Sequence, residues 1–255
     1  MAARVLITDP WFYALAIPAF LLTGISKGGF ASGAGNTGVP LMSLVIPAPQ
    51  AAGIALPVLC AMDLFALRAW WGRWDAALLR TLLPGAALGI ALGWAAFGFL
   101  SDAAIKLLVG AVTLLFLLRA ALKRAGGDAP AAPPSAPRKW FLSASSGFTS
   151  FIAHAGGPPL AMLLFPLRLP RETLSATTVA FFATVNYVKL VPYHFLGVLS
   201  AQNLLTSLVL LPLAPIGIRL GIFLASRLSD RAFYRLVYAL LLLTALQLIW
   251  EGMTR

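Results

Sequence analysis

A glycine-rich segment between two apolar runs constrains the fold of this chain more than any other feature. Residues 24–40 read Gly-Ile-Ser-Lys-Gly-Gly-Phe-Ala-Ser-Gly-Ala-Gly-Asn-Thr-Gly-Val-Pro. They cannot form one regular helix, because glycine costs about 1 kcal/mol and proline about 3 kcal/mol at an internal helix position. In lipid, an irregular backbone is stable only where protein or a water-filled cavity satisfies its polar groups. The segment therefore predicts a functional break inside a membrane, and residues 147–159 repeat its design.

The composition supports a membrane location. Of the 255 residues, 60% are hydrophobic and only 11% are charged, whereas soluble domains carry about 25% charged residues. The net charge of +11 lies in short connections between apolar runs, as the positive-inside rule describes, so we expect a lipid bilayer and no nucleic acid as partner. The single cysteine, Cys60, lies in an apolar run and excludes an intrachain disulfide or a cysteine metal cluster. We expect no cofactor, and the sequence is compatible with a homo-oligomer.

Apolar runs alternate with charges, glycines and prolines along the chain. Eight are interpreted as membrane spans of about 20 residues: 11–25, 50–67, 81–100, 103–118, 140–152, 173–192, 204–225 and 232–250. Two pieces that follow the breaks, 39–46 and 159–166, are too short to span. Residues 123–139, rich in proline, glycine and alanine, are predicted to be a flexible linker between a first membrane repeat, 1–122, and a second, 140–255.

The two halves resemble each other in order and spacing. Leu-Leu-Pro at 82–84 recurs at 210–212, Gly89 and Gly93 recur as Gly217 and Gly221, and Leu-Ser-Asp at 100–102 recurs at 228–230, all at one offset. The linker is the most basic connection and is expected to be cytoplasmic, and the positive-inside rule then places equivalent connections of the two halves on opposite faces. We therefore predict an all-α polytopic membrane protein of two inverted repeats. Each repeat has a broken, re-entrant-like helical hairpin and three transmembrane helices, and both termini of the chain are external.

The two breaks are candidate anion sites. In each break, glycines precede a short helix with proline in its first turn, at Pro40 and at Pro158 and Pro159. A helix N-terminus presents unpaired N–H groups and about half a positive charge, which suits an anion. The alternative is that the glycines only allow tight helix packing. The predicted binding residues at the breaks are Gly35, Asn36, Thr37, Gly38, Gly156 and Gly157.

Ionisable residues inside predicted spans are further candidates. Lys27 and Lys189 either face the substrate or extend toward the membrane surface, as we also expect for Lys106. Asp63 either carries a coupling proton or forms an ion pair with Lys27 or an arginine. His154 can donate to an anion or titrate. Asn186 and Tyr187 are candidates for the polar lining of the site, and Arg219 either binds an oxyanion through two hydrogen bonds or extends to the membrane surface.

The pattern Gly147-x6-His154-Ala-Gly-Gly-Pro-Pro-Leu160, with Gly33-Ala-Gly35 and Val39-Pro40-Leu41 in the first half, resembles the sulfite exporter TauE/SafE family of membrane transporters. The resemblance runs over nearly the whole chain. It implies a multi-pass protein of the bacterial inner membrane that moves small anions, such as sulfite or the organosulfonate sulfoacetate. We therefore expect a secondary transporter working by alternating access. The alternative is a membrane-embedded enzyme or assembly factor, although the chain has no metal-ligand or ATP-binding motif that would support one.

Overall fold

The structure is a computed structural model, and it describes residues 6–30, 38–42, 45–97, 99, 101–125 and 134–254. Within these residues every regular element is a helix. The first half contains α1 (Pro10–Gly29), α2 (Gly38–Met42), α3 (Ala48–Ala69), α4 (Ala76–Ala95) and α5 (Asp102–Ala125).

The second half follows the same order. It contains α6 (Ala136–Ala153), α7 (Gly157–Leu164) with a 3₁₀ turn over Phe165–Leu167, α8 (Arg171–Phe195), α9 (Ala201–Leu210), α10 (Leu213–Ser226) and α11 (Asp230–Thr254). Because α5 extends to Ala125 and α6 begins at Ala136, both ends of the predicted linker 123–139 are helical. Residues 126–133 of the linker lie outside the described part of the chain.

Several helices are long and apolar enough to cross a bilayer. Among the described residues four single helices meet this requirement, namely α1, α3 from Pro49, α4 and α8. The bent pair α9–α10 meets it when its two helices are taken together as one span. The helix α7, even with the 3₁₀ turn that follows it, is too short to span, as the sequence predicted for this piece. The chain is therefore a polytopic, all-α membrane protein.

The span predicted over residues 204–225 is not one straight helix. The structure divides it into α9 and α10, which are bent by 44° relative to each other at Leu211 and Pro212. Proline lacks an N–H and its ring crowds the carbonyl four residues earlier, which favours a break at this point. The equivalent Pro84 lies inside the continuous helix α4, so the same Leu-Leu-Pro sequence has two conformations in the two halves.

Glycines bring two helix pairs into backbone contact. Along α1 and α10, a β-carbon on Gly24 would lie 2.8 Å from the Cα of Gly217, and one on Gly28 would overlap the backbone of Ile218. Along α4 and α6, a β-carbon on Gly89 would overlap the carbonyl oxygen of Ala144. Both pairs run parallel. Only residues without a side chain permit this approach, which is common between helices in membranes.

Two other helix pairs run antiparallel, and each joins helices at the same place in the two halves. Asp63 of α3 meets Asn186 of α8. Gly110 of α5 lies against Ala245 and Ile249 of α11. The third helix of one half thus packs on the third helix of the other, and the last helix on the last.

The basic connections meet at one end of the molecule. Arg73, between α3 and α4, forms an ion pair of 3.1 Å with Glu172 at the start of α8. Arg171 donates a hydrogen bond of 2.7 Å to the carbonyl of Leu228, between α10 and α11. The connection that contains Arg73 and the connection that contains Leu228 therefore lie on the same side of the helices.

Candidate functional site

One buried face of α8 organises the polar interior. Asn186, Lys189 and Tyr193 are all buried in this helix. Residues three or four apart on a helix lie on the same face, with about 5–6 Å between neighbouring β-carbons. The three side chains form two connected clusters, one with α1 and α3 and one with the end of α6.

The first cluster joins Lys27, Asp63 and Asn186. The Lys27 Nζ lies 2.5 Å from Oδ1 of Asp63, and the Asn186 amide donates a hydrogen bond of 2.8 Å to Oδ2 of the same carboxylate. Asp63 is completely buried and Lys27 is 5% exposed. Of the alternatives for Asp63 that the sequence left open, the structure contains the ion pair with Lys27.

The second cluster surrounds Lys189, which is completely buried. Its ammonium group donates to the carbonyl oxygen and to the hydroxyl oxygen of Ser150, both at 3.1 Å. The Nδ1 atom of His154 lies at 3.4 Å. No carboxylate among the described residues lies within ion-pair distance of this ammonium group. Lys189 is therefore a buried cation held only by neutral groups of the described chain.

Hydrogen bonds assign the proton on the His154 ring. Tyr193 donates its hydroxyl proton to the carbonyl of Phe151 at 2.8 Å, so its oxygen accepts from Nε2 of His154 at 3.0 Å. The Nδ1 atom is then unprotonated and accepts from Lys189. Both ring nitrogens of His154 are thus engaged by protein, so in this arrangement the residue orients Lys189.

The break between α6 and α7 has its polar groups satisfied by protein. The last carbonyls of a helix have no partner within that helix, and here Lys189 and Tyr193 bond those of Ser150 and Phe151. His154 ends α6 with a left-handed backbone, at φ 51°. The Ala155 N–H donates back to the carbonyl of Thr149 at 3.1 Å. Protein groups thus provide hydrogen-bond partners for this irregular backbone, as is required inside a membrane.

The start of α7 leaves two backbone amides available. Pro158 and Pro159 lack an N–H, so only Gly156 and Gly157 contribute donors to its first turn. Neither donates a hydrogen bond to a residue that the structure describes. A β-carbon on Gly156 would lie 2.8 Å from Cβ of Ser150, whose hydroxyl also contacts Lys189. Ser150 therefore connects the buried cation to the start of α7.

The first break is described only in part. Gly38 begins α2 and is buried, whereas Gly35, Asn36 and Thr37 lie outside the described residues. Two other residues that the sequence suggested for the site lie at the surface of the helices. Tyr187 is 44% exposed and donates to the carbonyl of Cys60 at 3.2 Å, and Arg219 is exposed on α10.

The sequence interpretation missed two members of the site and misplaced one lysine. Ser150 was missed because serine is common in membrane helices, and Tyr193 because only its spacing of one turn from Lys189 identifies it. Lys106 was expected to extend to the membrane surface, and this was wrong. It is buried, its Nζ lies 3.0 Å from Oε2 of Glu251 on α11, and Gln247 donates to the other carboxylate oxygen at 2.8 Å.

The fold and these clusters define a polytopic membrane protein with buried, partly unneutralised charge beside a broken helix, an arrangement typical of transporters. A family model identifies the chain further. It belongs to the sulfite exporter TauE/SafE family, whose model matches residues 16–248, and this confirms the resemblance found in the two breaks. The chain is accordingly a membrane transporter of sulfur anions. No curated protein and no solved structure matches it.

Proposed function

We propose that the chain is a secondary transporter that moves a small sulfur oxyanion or organosulfonate, such as sulfite or sulfoacetate, across the bacterial inner membrane by alternating access. The observation that carries the proposal is the buried Lys189 ammonium group with no carboxylate partner among the described residues, beside a broken helix. We assign the anion to this position, between Lys189 and the amides of Gly156 and Gly157.

The charges of the site favour an anion. Lys27 and Asp63 neutralise each other, so Lys189 leaves one positive charge in excess. An unpaired ion in a protein interior costs several kcal/mol, and a bound anion would remove that cost. The two amides of the Gly156-Gly157 pair add donors at the positive end of the α7 dipole. A sulfonate or sulfite group, with three oxygens, can accept from the ammonium group and from both amides.

The helix contacts support inverted repeats. The first helix of each half packs parallel to the helix at the fourth position of the other half, as α1 with α10 and α4 with α6. The helices α3 and α8 pack antiparallel, and so do α5 and α11. This set of contacts maps onto itself when the two halves are exchanged, which a two-fold axis in the membrane plane would produce.

The difference between the halves supports alternating access. The Leu-Leu-Pro segment is bent by 44° between α9 and α10, whereas its equivalent in α4 is helical without a break. In a protein of inverted repeats, exchange of the two conformations converts a site open to one face into a site open to the other. We expect α4 to bend at Pro84 in the opposite state.

The anion site is tested by calorimetric binding of methanesulfonate and sulfite to the purified protein in nanodiscs. We expect Lys189→Gln to weaken binding by about 1.5–3 kcal/mol, the contribution of a hydrogen bond to a charged group. Arg219→Gln, at an exposed cation of another helix, is the matched control and should bind normally. Gly157→Pro should weaken binding because it removes an amide proton, whereas Gly157→Ala keeps that proton.

The result distinguishes a site from a packing feature. Melting temperatures measured for each variant separate loss of folding from loss of binding. If folded Lys189→Gln and Gly157→Pro both bind anion with wild-type affinity, the assignment of the anion to the second break is wrong.

A further inference from the structure

The buried charges of the two clusters restrict the charge of the anion. Lys27, Asp63 and Lys189 are each buried, and they lie close enough for their charges to interact with one another. With both lysines charged and Asp63 ionised, the cluster carries one positive charge in excess. A monoanion neutralises it, whereas a dianion leaves an unpaired negative charge in the interior, where such a charge is costly.

We propose that the site accepts a monoanion while Asp63 is ionised, and accepts a dianion only together with one proton that binds Asp63. This inference rests on the anion site proposed above. The proton comes from the acid form of the buffer, which becomes its base, and bonds to the carboxylate oxygen that now faces Lys27. Asp63 then becomes a neutral carboxylic acid. The ion pair with Lys27 is lost, and the Asn186 amide still donates to the other oxygen.

Protonation of Asp63 changes two properties of the site at once. It removes the negative charge that would repel a dianion, and it releases the Lys27 ammonium group from its carboxylate partner. Two cations, Lys27 and Lys189, then meet two negative charges. The side chain of Asn186, which contacts Asp63, lies one helical turn from Lys189. Both cations, Lys27 and Lys189, therefore lie near one small ligand.

The surroundings of Asp63 offer few other groups for this proton. On α1 the facing group is Lys27, and on α8 the polar groups are Asn186, Tyr187 and Lys189. On α3 itself Cys60 lies one turn away and is buried. From α10, which also packs against α3, the ionisable residue is Arg219, which is exposed.

The second break contributes His154, and its ring nitrogens are occupied by Lys189 and Tyr193. The described residues of α2, Gly38–Met42, contain no ionisable side chain, and neither does α9, which also packs against α3. Asp63 is thus the carboxylate in this part of the described structure that can take the proton.

The experiment counts protons taken up with each anion. Wild-type protein in nanodiscs is titrated calorimetrically at neutral pH in Tris and in imidazole, two sulfonate-free buffers that differ in their enthalpy of protonation. The probes are methanesulfonate, a monoanion, and thiosulfate, which is a dianion at this pH and holds no proton of its own. We expect no proton taken up with methanesulfonate and one with thiosulfate. In Asp63→Asn, thiosulfate should bind with no proton taken up.

Each outcome decides for or against the inference. Thiosulfate binding without proton uptake by the wild type would overturn it, and so would uptake that persists in Asp63→Asn. In both cases the anion site itself would stand, because the anion binds. Failure of both anions to bind the folded wild type would refute the proposed function and this inference with it. The wild-type proton counts are decisive even if Asp63→Asn does not fold.

Discussion

Replacement of Lys27 by glutamine should destabilise the protein strongly. The substitution leaves the completely buried Asp63 carboxylate with Asn186 as its partner among the described residues. Removal of one member of a buried ion pair costs about 3–5 kcal/mol, because the remaining charge is uncompensated. Asp63→Asn should cost less, because the asparagine is neutral and Lys27 is 5% exposed. The double variant should be more stable than Lys27→Gln alone.

The double-mutant cycle gives the coupling between the two residues. Residues in direct contact show interaction energies of about 0.5–3 kcal/mol, and the short Lys27–Asp63 contact places this pair at the upper end. The free energy of unfolding is measured for the wild type, both single variants and the double variant by titration with denaturing detergent. Additive losses within error would refute the argument that the two charges neutralise each other.

The pair formed by Lys106 and Glu251 is a matched control for this cycle. It is also an ion pair, formed at 3.0 Å by a buried lysine and a partly buried glutamate, and it joins α5 and α11 instead of the helices that carry the site. Lys106→Gln and Glu251→Gln should therefore lower stability and show coupling, while the affinity for methanesulfonate is unchanged. A change of anion affinity in these variants would show that the assay reports folding and not the site.

Two further predictions concern packing and topology. Gly89→Ala and Gly221→Ala should each cost at least about 1–3 kcal/mol of unfolding free energy through overpacking, because a β-carbon would overlap the backbone of Ala144 or of Ile25. Leu88→Ala, at a half-exposed position next to Gly89 in α4, should cost less unfolding free energy in the same titration. In a Cys60→Ala background, Gly127→Cys should react with an impermeant thiol reagent from the cytoplasmic face and Met253→Cys from the outer face. Reaction of both from one face would contradict the inverted repeats.

The sequence predicted those features that depend on the backbone alone. Glycine and proline act through allowed conformations and missing N–H groups, so their positions identify breaks without knowledge of neighbours. The helical order, the short helix after Gly157 and the family were predicted for this reason. The repeated glycines were also informative, since Gly89 and Gly217 both lie where two helix backbones meet.

Partners of charged side chains could not be predicted in the same way. Whether Lys106 reaches the surface or Glu251 depends on which helices pack together, and nothing local to either residue specifies that contact. The tautomer of His154 depends on Tyr193 and Lys189, which approach from another helix. The break at Pro212 is a third example, because Leu-Leu-Pro lies within a continuous helix in α4, and tertiary context decides between the two forms.

The two halves share their backbone design but not their charges, and this difference has a functional consequence. Positions in the two halves can be matched at the spacing that separates Pro40 from Pro159. At this spacing Lys27 corresponds to Ser146, and His154 corresponds to Gly35. Residues 173–203 contain no carboxylate that could match Asp63. Glycines and prolines that set the helix contacts are duplicated, whereas the ionisable residues near the breaks occur once. If the two halves are inverted repeats, as we propose, they have two equivalent conformations of similar energy, as alternating access needs. Under this proposal, a single set of charges would give those two conformations one shared binding site instead of two independent ones.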